Sequence, residues 1–99
     1  MPTDTAFLPN YPNPFNPETW IPFELRNHAK VTISIHDAAG RIVRVLDLGE
    51  RPAGPYVTRD RAAHWDGRNE QGESVSSGAY FVELVAGDYR ATRRISLRK

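Results

Sequence analysis

The sequence contains no cysteine, which excludes disulfide bonds, thiolate metal sites and a thiol nucleophile. Its formal net charge is only +1, so no overall field favours binding to nucleic acid or to an anionic membrane. No apolar run approaches the roughly 18–20 residues that a membrane-spanning helix needs. The 99 residues correspond to one domain, and a chain of that length buries enough surface to fold without a metal or a disulfide. We therefore expect a single small domain that is stabilised by side-chain packing.

The N-terminal part of the chain shows no hydrophobic periodicity. Residues 1–9 are predicted to be a flexible lead-in, and they lack the basic start and the apolar stretch of a signal peptide. An exported domain of this kind is therefore expected to follow a longer upstream segment. Residues 10–17 read NYPNPFNP, and proline disfavours both helix and central strand. We predict that this segment, here called the strap, lies extended over the surface with Tyr11 and Phe15 packed on the core.

From residue 18 onward apolar and polar residues alternate with a period of two, which is typical of half-buried strands. The alternation fails between Ile42 and Leu46, where a helical turn is also possible, but the β-branched residues favour a strand with a β-bulge. Two strands show the period most clearly and are predicted to face each other across one core, through Val31, Ile33 and Ile35 on one side and Tyr80, Val82 and Leu84 on the other.

The remaining strands are short and are separated by turns that contain glycine or proline. In chain order, strands are predicted at 20–25, 31–36, 41–48, 56–59, 62–65, 78–86 and 89–97. About seven short strands without a helix predict an all-β fold, an immunoglobulin-like or fibronectin-like antiparallel β-sandwich. We assign this sandwich to residues 10–99, with the strap at its start.

One segment carries residue types found in hydrolases. His64 stands beside Trp65 and Asp66, and serines follow at positions 74, 76 and 77. A catalytic triad needs serine and histidine within hydrogen-bond reach and an acid that orients the histidine. In a strand, however, His64 and Trp65 point to opposite faces. We therefore predict no catalytic residue here, with Trp65 as a core anchor and Asp66 as the cap of a turn.

The same region supplies oxygen ligands of the kind that Ca²⁺ prefers. Asp66, Asn69, Glu70 and Glu73 lie within eight positions, but their spacing does not match that of an EF-hand loop. The Asp-Gly and Gln-Gly pairs at either end favour a polar turn. The sequence predicts neither a metal site nor any other cofactor.

The last predicted strand is basic on one parity. Arg90, Arg94 and Arg98 share one parity with Thr92 and Ser96, and Arg93 and Lys99 add further charge. One interpretation is a solvated edge protected against strand-on-strand aggregation. The other is a binding face for an acidic partner, such as a translocon or the phosphates of lipopolysaccharide. Nucleic acid is disfavoured, because aromatic residues are not interleaved along the row.

Four motifs in order along the chain resemble a known family. They are the opening of the strap, a turn of the form Asp-x-x-Gly-Arg, a Trp-Asp-Gly segment and a Ser-Gly-Ala-Tyr-Phe strand start, and their motif residues are Asn10, Tyr11, Pro12, Asn13, Pro14, Gly40, Trp65, Asp66, Gly67, Gly78 and Tyr80. The strap, the Asp-x-x-Gly-Arg turn and the Ser-Gly-Ala-Tyr-Phe strand start together resemble the C-terminal sorting domains (type A) of type IX secretion cargo. The Trp-Asp-Gly segment is also similar to the immunoglobulin-like domain of the flagellar hook-capping protein.

The resemblance implies a non-catalytic sorting or anchoring module at the C-terminus of a secreted parent protein. It implies recognition by an outer-membrane translocon and a sortase-like peptidase, and a location in the medium or on the cell surface, reached through the periplasm of a Gram-negative-type bacterium. Two alternatives stay open. One is a structural stalk or spacer that contacts other proteins, and the other is a carbohydrate-binding module with Trp20, Tyr56 and Tyr89 as stacking rings.

Overall fold

The computed structural model describes residues 2–99, and Met1, part of the predicted lead-in, lies outside them. Over that range the fold is all-β, as predicted, and no helix in it is long and apolar enough to cross a membrane. Residues 2–99 form nine strands: β1 (Ala6–Phe7), β2 (Thr19–Ile21), β3 (Phe23–Leu25), β4 (Ala29–His36), β5 (Ile42–Arg51), β6 (Gly54–Tyr56), β7 (Ala63–Trp65), β8 (Gly78–Ala86) and β9 (Tyr89–Leu97).

The strands form a sandwich of two antiparallel layers. One layer is a four-stranded sheet in the order β5-β4-β8-β9, and the other combines the sheets β1-β3-β6 and β2-β7. The core between them is built from the alternating side chains of both layers. Its fully buried members include Trp65, Phe15, Phe23, Ile21, Leu25, Ile33, Ile35 and Leu84.

The two strands with the clearest alternation, β4 and β8, were predicted to face each other across the core, but the structure places them in the same sheet. Ile33 pairs with Leu84 and Ile35 with Val82, so β4 and β8 are neighbours in one sheet and do not face each other from opposite layers. All four side chains are fully buried. Alternation identifies the buried face of a strand, but it carries no information about which sheet the strand joins.

The strand predicted at 41–48, where the alternation fails, is confirmed as a bulged strand, β5. The pairing of β4 with β5 shifts its register twice, and the positions skipped on β5 are Val43 and Leu48. Each extra residue turns the strand locally, so both side chains pack against the core although their separation in sequence is odd. Ile42, beside the first bulge, points to solvent and is 61% exposed.

Proline and a tight turn set the limits of the short strands. Pro22 has no amide for a ladder, and the predicted strand 20–25 is divided there into β2, which pairs with β7, and β3, which pairs with β6. The strand predicted at 56–59 is displaced: β6 ends at Tyr56, because the amides of Arg61 and Ala62 bond to the carbonyl of Thr58 and form a turn.

The prediction of a flexible lead-in is wrong for Ala6 and Phe7. These residues form β1 and pair with Glu24 and Phe23, and the Phe7 side chain is buried. The strand has only two residues, which is too short for a period of two to be visible in the sequence. The amide of Leu8 continues the pairing by donating to Pro22 at 3.2 Å.

Candidate functional site

The strap crosses from one layer of the sandwich to the other. At its start Tyr11 pairs with Trp20, through backbone hydrogen bonds of 2.9 and 2.8 Å, and so extends the smaller layer. At its middle Phe15 runs parallel to Leu97 of β9: its amide donates to Ser96 at 2.9 Å, and its carbonyl accepts from Arg98 at 3.0 Å. The strap therefore closes one side of the sandwich and covers the last residues of β9.

Aromatic side chains fix the strap in place. Phe15 is 1% exposed, and its ring lies 5.4 Å from that of Trp65, which in turn lies 5.5 Å from Tyr80. Tyr11 is half-buried, stacks on Trp20 at 6.3 Å and donates its hydroxyl to the carbonyl of Val57. The prediction that both strap aromatics pack on the sandwich is confirmed.

Two buried polar residues hold the turn inside the strap. The Asn10 amide donates to Thr19 Oγ1 at 3.0 Å and to the carbonyl of Pro12 at 3.3 Å, and the Thr19 hydroxyl donates to the same carbonyl at 3.0 Å. These bonds replace the water that both side chains lose on burial. The sequence indicates no role for Thr19, because it lies outside the motif.

The Trp-Asp-Gly segment forms a turn against the other end of the strap. Trp65 Nε1 donates to the Arg68 carbonyl at 2.9 Å, and Asp66 Oδ1 accepts from the Arg68 amide at 3.0 Å. A Cβ at Gly67 would lie 2.4 Å from the carbonyl oxygen of Pro17. The predictions that Trp65 is a core anchor and that Asp66 caps a turn are confirmed.

The side chains of a hydrolase triad are not brought together. His64 points away from Trp65, with Nε2 3.5 Å from the carboxylate of Glu18 and its ring 5.1 Å from Trp20. Asp66 instead contacts Arg44 at 3.4 Å. In the serine segment the Ser76 carbonyl accepts from the Tyr80 hydroxyl at 2.6 Å, and the Ser77 hydroxyl accepts from the Lys99 amide at 3.0 Å.

The side chains of Asn69 and Glu70, in the turn considered for Ca²⁺ binding, accept hydrogen bonds from backbone amides of the protein. Asn69 Oδ1 accepts from the amides of Gln71 and Glu73 at 3.0 and 2.9 Å. Glu70 Oε1 reaches β5 and accepts from the Val45 amide at 2.6 Å. Across residues 2–99 no three histidine, aspartate or glutamate side chains are grouped so that they could hold a metal ion.

The turn between β4 and β5 contains the motif glycine Gly40, whose amide donates to the Asp37 carbonyl at 3.0 Å. The side chain of Asp37 accepts from the amides of Ala39 and Arg41 at 2.9 and 3.0 Å. The bond from the Arg41 amide is the main cause that holds the pKa of Asp37 below that of an ordinary aspartate. The motif glycine Gly78 opens β8, opposite Leu97.

The arginine row lies along an edge strand: Arg90 and Arg94 belong to β9, and Arg98 directly follows its last residue. β9 pairs only with β8 in the four-stranded sheet, and Ile95 and Leu97 are buried under it. The side chains of Arg90, Arg94, Arg98 and Lys99 are all exposed. Arg90 lies 3.8 Å from Glu83 of β8. Arg93 is on the other parity and donates to the Phe7 carbonyl at 3.2 Å, so it contacts the N-terminal strand.

An exposed apolar row adjoins the arginines and is absent from the predictions made from the sequence. On the outer face of the four-stranded sheet Ile42 pairs with His36, His36 with Phe81, and Phe81 with Arg94. Ile42 and Phe81 are 61% and 37% exposed. The failed alternation between Ile42 and Leu46 is the sequence feature that could have indicated it.

The rings considered for sugar binding do not form an exposed platform. Tyr56 is buried and stacks on Phe23 at 4.9 Å. The guanidinium of Arg59 covers the Trp20 ring at 4.3 Å. Tyr89 lies in β9, which belongs to the other layer.

Comparison with known proteins finds sequence relatives of this chain among FlgD proteins. The chain is 37% identical to the basal-body rod modification protein FlgD of Salmonella typhimurium over 59 residues, which is 60% of this chain and 23% of that protein. It is 37% identical to the Escherichia coli FlgD protein over 73 residues, which is 71% of this chain and 29% of that protein. The chain thus spans less than a third of the length of these relatives.

Solved structures show the same fold at lower identity. Dimeric latent PorU from Porphyromonas gingivalis matches with a TM-score of 0.71 and 16% identity over 94% of this chain and 9% of PorU. PorZ of the same organism, an essential bacterial surface component of the type-IX secretion system, matches with a TM-score of 0.61 and 20% identity over 92% of this chain and 11% of PorZ.

The FlgD structure from P. aeruginosa matches with a TM-score of 0.57 and 20% identity over 95% of this chain and 60% of that one. The FlgD Ig-like domain family matches residues 18–89, which include the Trp-Asp-Gly turn and most of both layers. The chain belongs to the FlgD Ig-like domain family.

Proposed function

We propose that this domain is a non-catalytic sorting module of a larger exported protein, bound by an outer-membrane secretion apparatus. The observation that carries the proposal is the exposed arginine row on β9, whose strand is fixed by the buried Ile95 and Leu97. A folded strand that presents several charges at fixed spacing suits recognition by an acidic surface. The fold that the domain shares with PorU and PorZ supports this setting.

In this proposal the strap and the Trp-Asp-Gly turn have a structural role. They close one side of the sandwich and hold β9, and the exposed positions Arg90, Arg94, Arg98 and Lys99 contact the translocon. A sortase-like peptidase then removes the domain from the parent protein. The parent reaches the cell surface or the medium through the periplasm, which agrees with the flagellar and secretion-related proteins to which the chain is similar.

The test separates recognition from folding. Exposed charges contribute little to stability one by one, so replacing Arg90, Arg94 and Arg98 with glutamine should leave the melting temperature nearly unchanged. The same variant, fused behind a reporter in a bacterium with type IX secretion, should deliver much less reporter to the surface. The matched control replaces three other exposed cationic residues, Arg26, Lys30 and Arg51, with glutamine and should deliver normally.

Two outcomes would contradict the proposal at different levels. Normal delivery by the folded β9 variant would remove the arginine row from the mechanism. Normal delivery of a reporter that lacks the whole domain would reject the sorting role itself.

A second candidate function is a structural spacer in a multidomain surface or flagellar protein, and membership of the FlgD Ig-like family favours it. The exposed Ile42 and Phe81 then contact a neighbouring domain or subunit. In this case the parent protein is delivered without the domain but fails to assemble. Scoring delivery and assembly of the same deletion distinguishes the two functions.

A further inference from the structure

The outer edge of β9 presents unpaired backbone groups in a regular row. In an antiparallel ladder, the amide and carbonyl of successive residues point alternately toward the partner strand and away from it. Both backbone groups of Ser96 point outward, because its carbonyl accepts from Phe15 at 2.9 Å and its amide donates to Asn13 at 3.2 Å. The pairing of β9 with β8 has no register shift, so Thr92 and Arg94 present their backbone groups on the same outer side.

The strap already pairs with this edge, but only along the last residues of β9. Phe15 pairs with β9 as a short parallel strand, which bonds to Ser96 and Arg98. Among the hydrogen bonds of residues 2–99, none outside the β8 ladder involves the backbone of Arg90, Thr92 or Arg94. Within residues 2–99, the outward backbone groups from Arg90 to Arg94 are therefore unpaired, and the nearest contact of another segment is that of β1 with the Arg93 side chain.

The opposite edge of the same sheet lacks this regularity. β5 carries two register shifts, and Glu70 already occupies the amide of Val45. Bulges and covering side chains are the usual protection of an edge against strand addition. β9 has no bulge along its first six residues, and no side chain bonds to its outward amides there, so only the charge of its arginine side chains opposes strand addition.

The positive charge of Arg90 and Arg94 favours an acidic strand at this edge over a second copy of the domain. A second copy, paired antiparallel about Thr92, would place Arg90 opposite Arg94 and bring like charges together, which is unfavourable. An extended acidic segment would place carboxylates beside the same side chains and bond to the outward amides. Strand addition of this kind derives affinity from the main chain and specificity from the side chains.

We propose that β9 binds an extended acidic segment of the recognising protein by strand addition along Arg90, Thr92 and Arg94. The inference rests on the proposed function, because it states how the sorting module is recognised. The added strand lies end to end with the strap, on the same edge of the four-stranded sheet.

Thr92→Pro tests the backbone contribution directly. The amide of Thr92 points away from β8, so proline removes no bond of the ladder and is tolerated at an edge. It does remove a donor from the free edge and places a ring there. The probe is a labelled, end-blocked peptide of about ten residues that alternates glutamate with threonine, and its binding to the 99-residue chain is followed by fluorescence anisotropy.

We expect the wild-type chain to bind this peptide at least about tenfold more tightly than a lysine-containing counterpart, with an affinity that falls as salt rises. Thr92→Pro should weaken binding of the acidic peptide about tenfold or more, whereas the matched control Thr92→Ala, which keeps the amide, should bind like the wild type. A second measurement needs no substitution: the peptide should slow hydrogen exchange at the amides of Arg90, Thr92 and Arg94.

Strand addition is rejected if the wild-type chain does not prefer the acidic peptide, if folded Thr92→Pro binds it undiminished, or if those amides exchange at the same rate with and without the peptide. The result is separable from the test of sorting. Failed delivery by the β9 arginine variant, with Thr92→Pro both binding and delivering normally, would leave the sorting role standing and remove strand addition.

Discussion

At the scale of single residues, Gly67 links two motifs that lie far apart in the sequence. Its φ is +77°, and a Cβ there would lie 2.4 Å from the Pro17 carbonyl oxygen at the end of the strap. Gly72, five residues later, has a φ of +81°, but a Cβ at that position would have no neighbouring atom within 4 Å. The two glycines share a backbone conformation and differ in their surroundings.

Gly67→Ala should therefore be more destabilising than Gly72→Ala. Both substitutions cost about 1–3 kcal/mol of backbone strain, but at position 67 the methyl group also meets a backbone atom that cannot rotate away. Urea unfolding of the two variants measures the difference. Equal losses would show that the strap can move away from the turn at little cost.

Asp37 makes the turn between β4 and β5 dependent on pH. Because its pKa is lowered in the folded state, chiefly by the Arg41 amide, the ionised side chain stabilises the fold above its unfolded pKa. This contribution is lost as the pH falls through the folded pKa. Asp37→Asn keeps an acceptor but loses the charge, so it should be less stable than the wild type at about pH 7, with the difference shrinking toward about pH 2. Urea unfolding at both pH values tests this, and a constant difference would contradict it.

At the scale of elements, the strap is fixed mainly by Phe15. Phe15→Ala removes a fully buried ring and leaves a cavity beside Trp65, so the free energy of unfolding should fall by about 3–5 kcal/mol. The matched variant Tyr11→Phe removes only the hydroxyl that bonds to Val57, and should cost about 0.5–1.5 kcal/mol.

Denaturant unfolding gives both values, and amide exchange at Phe15 and Arg98 reports whether the strap leaves β9. A loss below about 1 kcal/mol for Phe15→Ala would mean that the strap is a linker and contributes no part of the core.

Strand length decides which elements the sequence predicts. Nine-residue alternation and the Gly87-Asp88 turn predict β8 and β9 with the bounds that the structure has. β1 has only two residues, too few to display a period, and β6 begins with Gly54 and Pro55, residue types that are depleted in strands. These strands exist because a neighbouring strand already offers bonding partners, which is information that local sequence does not contain.

At the scale of the whole molecule, one core stabilises both layers. Ile33→Ala should cost about 2–5 kcal/mol, because Ile33 is fully buried at the centre of the four-stranded sheet. Ile42→Ala, in the adjacent strand of that sheet, removes a side chain that is 61% exposed and should change stability by less than about 0.5 kcal/mol. Thermal or urea unfolding compares the two, and similar losses would contradict the division between inner and outer faces.

The residues of the arginine row could be predicted from the sequence, but the location of their strand at the edge of a sheet could not. Parity alone predicts that Arg90, Arg94 and Arg98 share one side of the last strand, and the structure agrees in leaving all three exposed. That β9 is an edge, and that the strap covers only its end, depends on strand order and on a contact between residues 15 and 97. Pairing over such a distance is set by the packing of the whole sandwich, which periodicity does not encode.

The parallel pairing of Phe15 with Leu97 also has a mechanical consequence. The strap enters from the N-terminal side and β9 leaves toward the C-terminal side in the same direction, so tension between the two ends loads their backbone bonds along the strands, in shear. Both bonds to Phe15 then share the load and must break together, whereas a hairpin pulled from its open end loses its bonds one at a time. A pull on the N-terminus meets β1 first, because its pairing with β3 and the buried Phe7 lie between the N-terminus and the strap. The two bonds to Phe15 therefore carry the load only after β1 has detached.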